Sequence, residues 1–361
     1  MTTTATESRD GIPEPRKERY APVTIAWRIQ IAELAHRFFG LARNQQWAEL
    51  AGAPYEKGVI HPWTVAHFMT FLGKVGNTTG NLADVVRVLG ALEHAGLLLA
   101  QGFDYQKAVG GQTYLANGGP VLQRQDGGKL WLAEALGAEL IIPFYCSATV
   151  QITGYATEAD AAAETDERWG TGLIVDRAHI LTNRHVAEGV RYGMQVVQQV
   201  PTPAGYRSCR VRAHAQLDVA VIELELADDA DGLQPLAGMV FRDPNWADET
   251  FVFGFPRVPM TAEMAITVQR GEVVNPSTPS MPSREPVFLY SAIARPGNSG
   301  GPIVAGDGRV IGLVVEDSSE VQTNNGAPVS APFYRGLPTS EVVRALTDLG
   351  FPNLAKVESW A

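Results

Sequence analysis

Three polar residues in the second half of the chain have the types and local contexts that nucleophilic catalysis needs. His185 stands in ILTNRHVAEG, Asp218 in QLDVAVIEL and Ser299 in RPGNSGGPIV. A serine hydroxyl is a weak nucleophile at neutral pH, so it requires an imidazole that accepts its proton and a carboxylate that orients the imidazole. The sequence therefore predicts a catalytic triad of His185, Asp218 and Ser299, and this chemistry needs no cofactor or metal ion.

The glycines around Ser299 predict a tight turn with a chemical purpose. Two backbone N–H groups must point at the oxygen that becomes anionic in the tetrahedral intermediate, and bulky side chains would obstruct it. We expect Gly297 and Ser299 to donate these N–H groups as an oxyanion hole. Asp218 opens the apolar alternation VAVIEL, which places its carboxylate at the start of a core strand.

Short β-strands are the elements that must position these residues. After Leu140 the sequence forms brief apolar runs bounded by turn-forming residues and without helical periods between them: FYCSATVQIT, GLIVDRAHILT, MQVVQQV, CRVRAHA, VAVIEL, TFVFGF, PVFLYSAI and RVIGLVVED. Many short strands of this kind predict a Greek-key barrel or sandwich.

The motifs around the three residues resemble those of the trypsin-like, chymotrypsin-fold serine peptidases, above all the bacterial HtrA-type and glutamyl-endopeptidase-type branches. The resemblance covers residues 140–350 and includes GTGLIV before the histidine and GFP at 254–256. It implies two antiparallel six-stranded β-barrels with the triad in the cleft between them, and a C-terminal helix in TSEVVRALTDLG. Asn298 stands where digestive members have an aspartate, so their zymogen switch should be absent.

The same resemblance places the substrate-binding residues. Ile293, six positions before the serine, would form the base of the primary pocket, with Val314, Val315 and Glu316 as its wall. An apolar base favours a small or medium aliphatic side chain before the scissile bond. Glu316 and Asp317 would instead attract a basic residue if they turned into the cleft.

Helical periodicity dominates before residue 138. Apolar residues recur at helical spacing in three segments: Ile31, Leu34, Phe38 and Leu41 behind the N-cap Thr24; Val65, Phe68, Met69 and Leu72; and Leu82, Val85, Leu89 and Leu92, ended by Gly96. Strands are expected at Leu97–Leu99 and at residues 118–122. The order of these elements resembles a winged helix-turn-helix module.

The helix that would read DNA in such a module, Leu82–Ala95, contains Asp84 and Glu93 but only Arg87 as a permanent cation. DNA-reading helices are normally basic. This pattern favours a helical adaptor or protein-contact module over DNA binding. A small bundle that covers one side of the second domain is the remaining alternative.

Length and charge set the organisation of the chain. Its 361 residues predict about two domains, which we place as a disordered tail at 1–20, a helical winged-helix-like domain at 21–138 and a peptidase domain at 139–361. The net charge of -10 argues against general nucleic-acid binding.

Neither a secretory leader nor a membrane-spanning segment is indicated, so we expect a cytoplasmic protein. Cys146 and Cys209 are expected to be reduced, buried thiols. A disulfide between them is the alternative.

The sequence thus predicts a serine endopeptidase that acts on polypeptides through an acyl-enzyme. Bacterial defence and stress systems contain proteins that resemble this arrangement, with a trypsin-like effector joined to a small adaptor, which implies an activating partner that binds residues 21–138. Two other functions are open: a pseudo-peptidase adaptor that keeps the fold as a binding module, and a DNA-binding regulator.

Overall fold

The computed structural model describes residues 24–77, 81–107, 109–198, 205–228, 231–315, 323–324, 327–328 and 333–358. Contacts divide the chain into two compact units, Met1–Asn117 and Gly118–Ala361. The tail expected at residues 1–20 lies outside the described residues, as do Glu316 and Asp317. Within the described ranges, no helix is long and apolar enough to cross a membrane.

The described part of the first unit combines four helices with a small antiparallel sheet. Its elements are α1 (Ile25–Phe38), α2 (Gln45–Ala51), β1 (Trp63–Thr64), α3 (Val65–Lys74), α4 (Leu82–His94), β2 (Leu98–Phe103) and β3 (Gln112–Ala116), with the strands in the order β1-β3-β2. All three predicted helices are confirmed. The Thr24 hydroxyl accepts a hydrogen bond from the Trp27 N–H (3.2 Å) at the start of α1. Gly96 follows α4 in the left-handed conformation, with φ +68°.

One of the two strands predicted between residues 97 and 122 is wrong. Leu97–Leu99 overlaps β2 as expected, but residues 118–122 form no strand, and Leu122 begins a 3-10 helix. The partner of β2 is β3, in which Thr113 and Tyr114 are buried. Pro120 lacks the N–H that a ladder needs, whereas Thr and Tyr favour strands. The likeness to a winged helix-turn-helix module stays a prediction.

A helical segment opens the second unit. It consists of the 3-10 turns Leu122–Gly127 and Leu130–Leu132 and the helices α5 (Ala133–Leu136) and α6 (Ala138–Ala148). The strand predicted from FYCSATVQIT is therefore wrong in its first half, because α6 continues to Ala148 and the strand begins at Thr149. Leu140, Ile141, Tyr145 and Ala148 are buried at helical spacing.

This segment packs on the β-strands that follow it. The Gln123 side chain donates a hydrogen bond to the carbonyl of Asp307 (3.0 Å), and the Tyr145 hydroxyl donates one to the carbonyl of Gly308 (2.8 Å). Contacts therefore place the division between Asn117 and Gly118, whereas the change of periodicity places it after residue 138. Periodicity reports the type of an element and not the unit against which it packs.

Twelve strands of the second unit form two six-stranded antiparallel sheets. The first sheet, in the order β7-β4-β5-β6-β9-β8, contains β4 (Thr149–Tyr155), β5 (Arg168–Ile174), β6 (His179–Thr182), β7 (Tyr192–Gln198), β8 (Tyr206–Ala213) and β9 (Ala220–Leu226). Its edge strands are bridged by a hydrogen bond from the Val196 N–H to the Tyr206 hydroxyl (3.1 Å). This first barrel is thus nearly closed.

The second sheet closes on itself. It contains β10 (Glu249–Gly254), β11 (Thr267–Pro279), β12 (Pro286–Tyr290), β13 (Pro302–Ala305), β14 (Val310–Val315) and β17 (Tyr334–Pro338), in the order β10-β11-β12-β17-β14-β13. β10 pairs with both β11 and β13, which completes the barrel. The predicted pair of six-stranded barrels is confirmed.

The remaining elements are short, apart from one helix. They are α7 (Glu158–Ala163), α8 (Arg184–Gly189), the two-stranded sheet of β15 (Thr323–Asn324) and β16 (Ala327–Pro328), and α9 (Thr339–Asp348). The helix expected in TSEVVRALTDLG is confirmed as α9. Cys146 and Cys209 are partly buried free thiols, and burial raises the pKa of each.

Candidate active site

A strand end and a short helix place the candidate base beside the candidate carboxylate. β6 ends at Thr182 and α8 begins at Arg184, while Asp218 lies just before β9. The His185 Nδ1 atom is 2.7 Å from the Asp218 Oδ2 atom, and the His185 backbone N–H donates to Oδ1 (3.0 Å). Because Nδ1 faces the carboxylate, Nε2 is the ring nitrogen that can act on a hydroxyl group.

Further hydrogen bonds fix the two loops against each other. The Asn183 side chain donates to the carbonyl of Asp218 (2.9 Å). Arg184 donates to the carbonyl of Ala215 (2.7 Å) and to that of His214 (3.3 Å). The side chains of Asn183 and Arg184, the two residues before His185, therefore hold the loop that carries Asp218.

The charge state of Asp218 follows from the same contacts. Burial alone would raise the pKa of Asp218, but its hydrogen bonds to His185 and the nearby charges of His185 and Arg184 outweigh burial. Together they hold the pKa of Asp218 below its ordinary value. The carboxylate is therefore ionised at neutral pH, as a group that orients an imidazole and stabilises its cation must be.

Two positions in the turn that carries Ser299 require glycine. Gly297 has φ +103° and Gly300 has φ +80°, a region that other residues rarely adopt. A Cβ atom on Gly297 would lie 2.5 Å from the carbonyl oxygen of Phe255, and one on Gly300 would lie 2.2 Å from the Thr182 hydroxyl. The GNSGGP motif thus reflects both backbone conformation and close packing.

Most N–H groups of this turn have internal acceptors. Asn298 donates to the carbonyl of Arg295 (2.9 Å), Gly300 to that of Val314 (3.1 Å) and Gly301 to that of Asn298 (2.9 Å). The N–H groups of Gly297 and Ser299 donate to no atom of the residues that the structure describes. These are the two groups that the sequence assigns to the oxyanion hole.

His185, Asp218, Gly297 and Ser299 line one open cleft of about 520 Å³. Ser299 is itself only 6% exposed. Other lining residues come from both barrels and from the β11–β12 hairpin: Arg168, Trp169, Arg184, Met281, Glu285 and Arg335. The cleft therefore brings the predicted nucleophile, base and carboxylate together.

The predicted specificity residues fall in different places. Val315 lines the cleft, whereas Val314 is fully buried in the core of the second barrel. Ile293 is 44% exposed and is not among the lining residues, and Glu316 lies outside the described residues. The identity of the primary pocket stays a prediction. Sequence reasoning missed Arg335, which reaches the cleft because β17 pairs with β14 and places Arg335 opposite Val315.

Thr171 was also missed as a site residue, although it stands in the GTGLIV motif. It is fully buried in β5, and its hydroxyl donates to the carbonyl of Gly297 (2.6 Å). Its backbone N–H donates to the carbonyl of Ser299 (3.0 Å). The only signal in the sequence was a polar residue among the glycines of this motif.

The two six-stranded antiparallel barrels fit a chymotrypsin-like fold. The family model described as "Trypsin-like peptidase domain" matches residues 170–313, a range that contains His185, Asp218 and Ser299. Residues 170–313 are therefore similar to a trypsin-like peptidase domain.

Two curated proteases are each similar to a little under half of the chain. Putative protease Do-like 12, mitochondrial, of Arabidopsis thaliana is 26% identical over 172 residues, which are 46% of this chain and 32% of that protein. Magnetosome formation protease MamE of Paramagnetospirillum magneticum is 28% identical over 182 residues, which are 47% of this chain and 22% of that protein. The chain thus matches only about a third and a fifth of the lengths of these relatives.

Solved structures show a corresponding likeness. The active form of the Rv3671c protease from M. tuberculosis is 22% identical, covers 60% of this chain and 86% of its own, and has a TM-score of 0.43. The HtrA-type protease AlgW with tripeptide is 18% identical, covers 58% of this chain and 62% of its own, and also has a TM-score of 0.43.

Proposed function

We propose that this protein is a serine endopeptidase in which Ser299, His185 and Asp218 form the catalytic triad. The observation that carries the proposal is the 2.7 Å contact of His185 Nδ1 with Asp218 in a cleft that Ser299 also lines. A histidine held in this way presents Nε2 as a general base to a serine hydroxyl.

The reaction then proceeds in two halves. The Ser299 Oγ atom attacks the carbonyl carbon of the peptide bond while its proton passes to His185 Nε2. The resulting oxyanion accepts hydrogen bonds from the N–H groups of Gly297 and Ser299. When the C–N bond breaks, the leaving amine takes the proton from His185. Water, deprotonated by the same nitrogen, attacks the acyl carbon, and His185 returns that proton to Ser299 Oγ as the bond between the acyl group and Oγ breaks.

For the residue before the scissile bond, the cleft favours an aliphatic side chain over a basic one. Three arginines of the cleft, Arg168, Arg184 and Arg335, outnumber its two described carboxylates, Asp218 and Glu285, so a lysine or arginine of the substrate would meet an excess of like charge there. Val315 supplies an apolar surface in the same cleft.

We propose residues 21–138 as an adaptor that binds an activating protein partner. Several apolar side chains of this region are exposed, among them Ile60 (51%), Phe103 (45%) and Tyr105 (90%). Apolar and aromatic side chains are typical of protein interfaces. DNA reading is less well supported because α4 contains Asp84 in its first turn and has Arg87 as its only Lys or Arg.

Digestion of unfolded casein tests the proposed function. The wild-type chain should produce new peptides by mass spectrometry, and Ser299→Ala and His185→Ala should produce none. Cleavage that persists in Ser299→Ala would assign the activity to another group or to a contaminant. A wild-type chain that is inert, alone and with cell extract added as a source of partners, would favour a pseudo-peptidase.

A further inference from the structure

Thr171 holds the two residues whose N–H groups we assign to the oxyanion hole. Its hydroxyl donates to the carbonyl oxygen of Gly297 (2.6 Å), and its N–H donates to that of Ser299 (3.0 Å). One residue of the first barrel therefore fixes the carbonyl groups of both donors, which belong to the second barrel.

The Thr171 hydroxyl is itself held in one orientation. It accepts a hydrogen bond from the Phe255 N–H (3.0 Å), so its own proton is directed to Gly297. The Thr182 hydroxyl donates to the Thr171 carbonyl (2.7 Å), three residues before His185. A continuous chain of hydrogen bonds thus runs from the strand that precedes the histidine to the turn that carries the serine.

Gly297 needs such a restraint because glycine accepts many backbone conformations at little cost. Its φ of +103° is one of several conformations open to it, and rotation of its peptide groups would turn the Gly297 N–H away from the cleft. The hydrogen bond from Thr171 holds the carbonyl of this same residue. The peptide group of that carbonyl is otherwise held only through the Asn298 N–H, which donates to the carbonyl of Arg295 (2.9 Å). Loss of the Thr171 bond would leave the conformation of Gly297 to that one remaining restraint among the described residues.

We infer that Thr171 is a positioning residue of the oxyanion hole, whose hydroxyl keeps the Gly297 N–H directed into the cleft. This inference rests on the proposed function, since it concerns stabilisation of the tetrahedral intermediate. Thr171 touches no reacting atom and acts through Gly297. Its effect therefore belongs to the transition state and not to substrate binding.

The test compares three variants. Thr171→Val has nearly the same shape but no hydroxyl, and Thr171→Ser keeps the hydroxyl. Thr250→Val is the matched control, because Thr250 is also fully buried in a strand and its hydroxyl has no partner among the described residues. Any general effect of a buried threonine-to-valine change should appear in this control.

We expect Thr171→Val to lower kcat for a cleaved peptide by about 10-fold to 100-fold with little change in KM, as weakening of an oxyanion donor does. Affinity for a peptide boronic acid, whose tetrahedral adduct needs the same N–H groups, should fall by a similar factor. Thr171→Ser should recover most of both losses, and Thr250→Val should lose neither. A lower melting temperature of Thr171→Val with unchanged kcat and boronate affinity would overturn the inference.

Hydrogen exchange provides a readout that does not depend on catalysis. The peptide that spans residues 295–301 should exchange faster in Thr171→Val than in the wild type or in Thr250→Val. If the wild type proves inert, the proposed function fails, while this exchange measurement still decides whether Thr171 holds the turn. Equal exchange in all three proteins would contradict the inference whatever the activity.

Discussion

The two barrels of the peptidase unit differ in how they are held together. The first sheet is bridged at its edges by the bond between the Val196 N–H and the Tyr206 hydroxyl. Its arginine–carboxylate pairs are at least partly exposed, such as Arg212 with Glu223 (3.0 Å). The second barrel is closed by backbone pairing and is fastened at one end by buried charges.

The buried charges of the second barrel form one network around the turn between β13 and β14. Asp307 accepts from Arg242 (2.7 Å) and from Arg309 (3.1 Å). Arg242 also binds Asp248 through two nitrogens, and Arg309 binds Glu358 (2.7 Å). Arg309 is 1% exposed and Arg242 is 7% exposed. This network joins the turn to the C-terminal segment.

The two barrels supply different parts of the proposed triad. Ser299 lies directly before β13, at the end of the hairpin opposite the charge network. His185 and Asp218 belong to the barrel with the less complete closure. Because the residues of the proposed triad come from two barrels, the barrels must be held together near the site. Thr171 provides two hydrogen bonds between them, one to the carbonyl of Gly297 and one to that of Ser299.

The largest expected effect concerns the His–Asp contact of the first barrel. Asp218→Asn should lower kcat by about 10^4-fold, since the amide would hold His185 in the wrong tautomer. Steady-state kinetics on a cleaved peptide would measure the change. Asp176→Asn is the matched control, because Asp176 binds His179 Nδ1 (2.8 Å) in the same barrel. Equal losses from both variants would indicate damage to the barrel and not to a catalytic contact.

The next effect concerns the buried network of the second barrel. Arg309→Met should lower the free energy of unfolding by about 3–5 kcal/mol, because it leaves the Glu358 carboxylate without its guanidinium partner in a poorly hydrated site. Urea unfolding followed by circular dichroism would measure this loss. A loss below about 1 kcal/mol would show that the network does not fasten the second barrel.

The smallest effect concerns the exposed pair of the first barrel. Arg212→Met should change the free energy of unfolding by less than about 1 kcal/mol, because water screens the pair and solvates Glu223 once the arginine is gone. The same urea titration applies. If Arg212→Met cost as much as Arg309→Met, the contrast between the two barrels would be lost.

The sequence predicts the site best where the functional residue and the residues that set its backbone conformation are adjacent in the chain. GNSGGP specifies its turn through glycines that nothing larger can replace, so the position of Ser299 in a tight turn was readable from adjacent residues. The strands around His185 and Asp218 were equally readable, because apolar residues of β6 and β9 fill the first core.

Long-range features were not readable in the same way. Thr171 and Gly297 are 126 residues apart, so the bond between them leaves no local pattern. The long strand β11 was missed because its core-facing alternation is poor: Val273 is its only fully buried residue. The first half of FYCSATVQIT predicts the wrong element, because a short apolar run fits a buried helix as well as a strand.

The most direct test of Ser299 as a nucleophile activated by His185 is covalent labelling of the purified chain with a fluorophosphonate. Peptide mass spectrometry would locate the adduct. Such a reagent modifies a serine whose hydroxyl an imidazole has activated. We expect one adduct, on Ser299, in the wild type, with none in Ser299→Ala and strongly reduced labelling in His185→Ala. Labelling of Ser299 at the same rate in His185→Ala would contradict the assignment of His185 as the base.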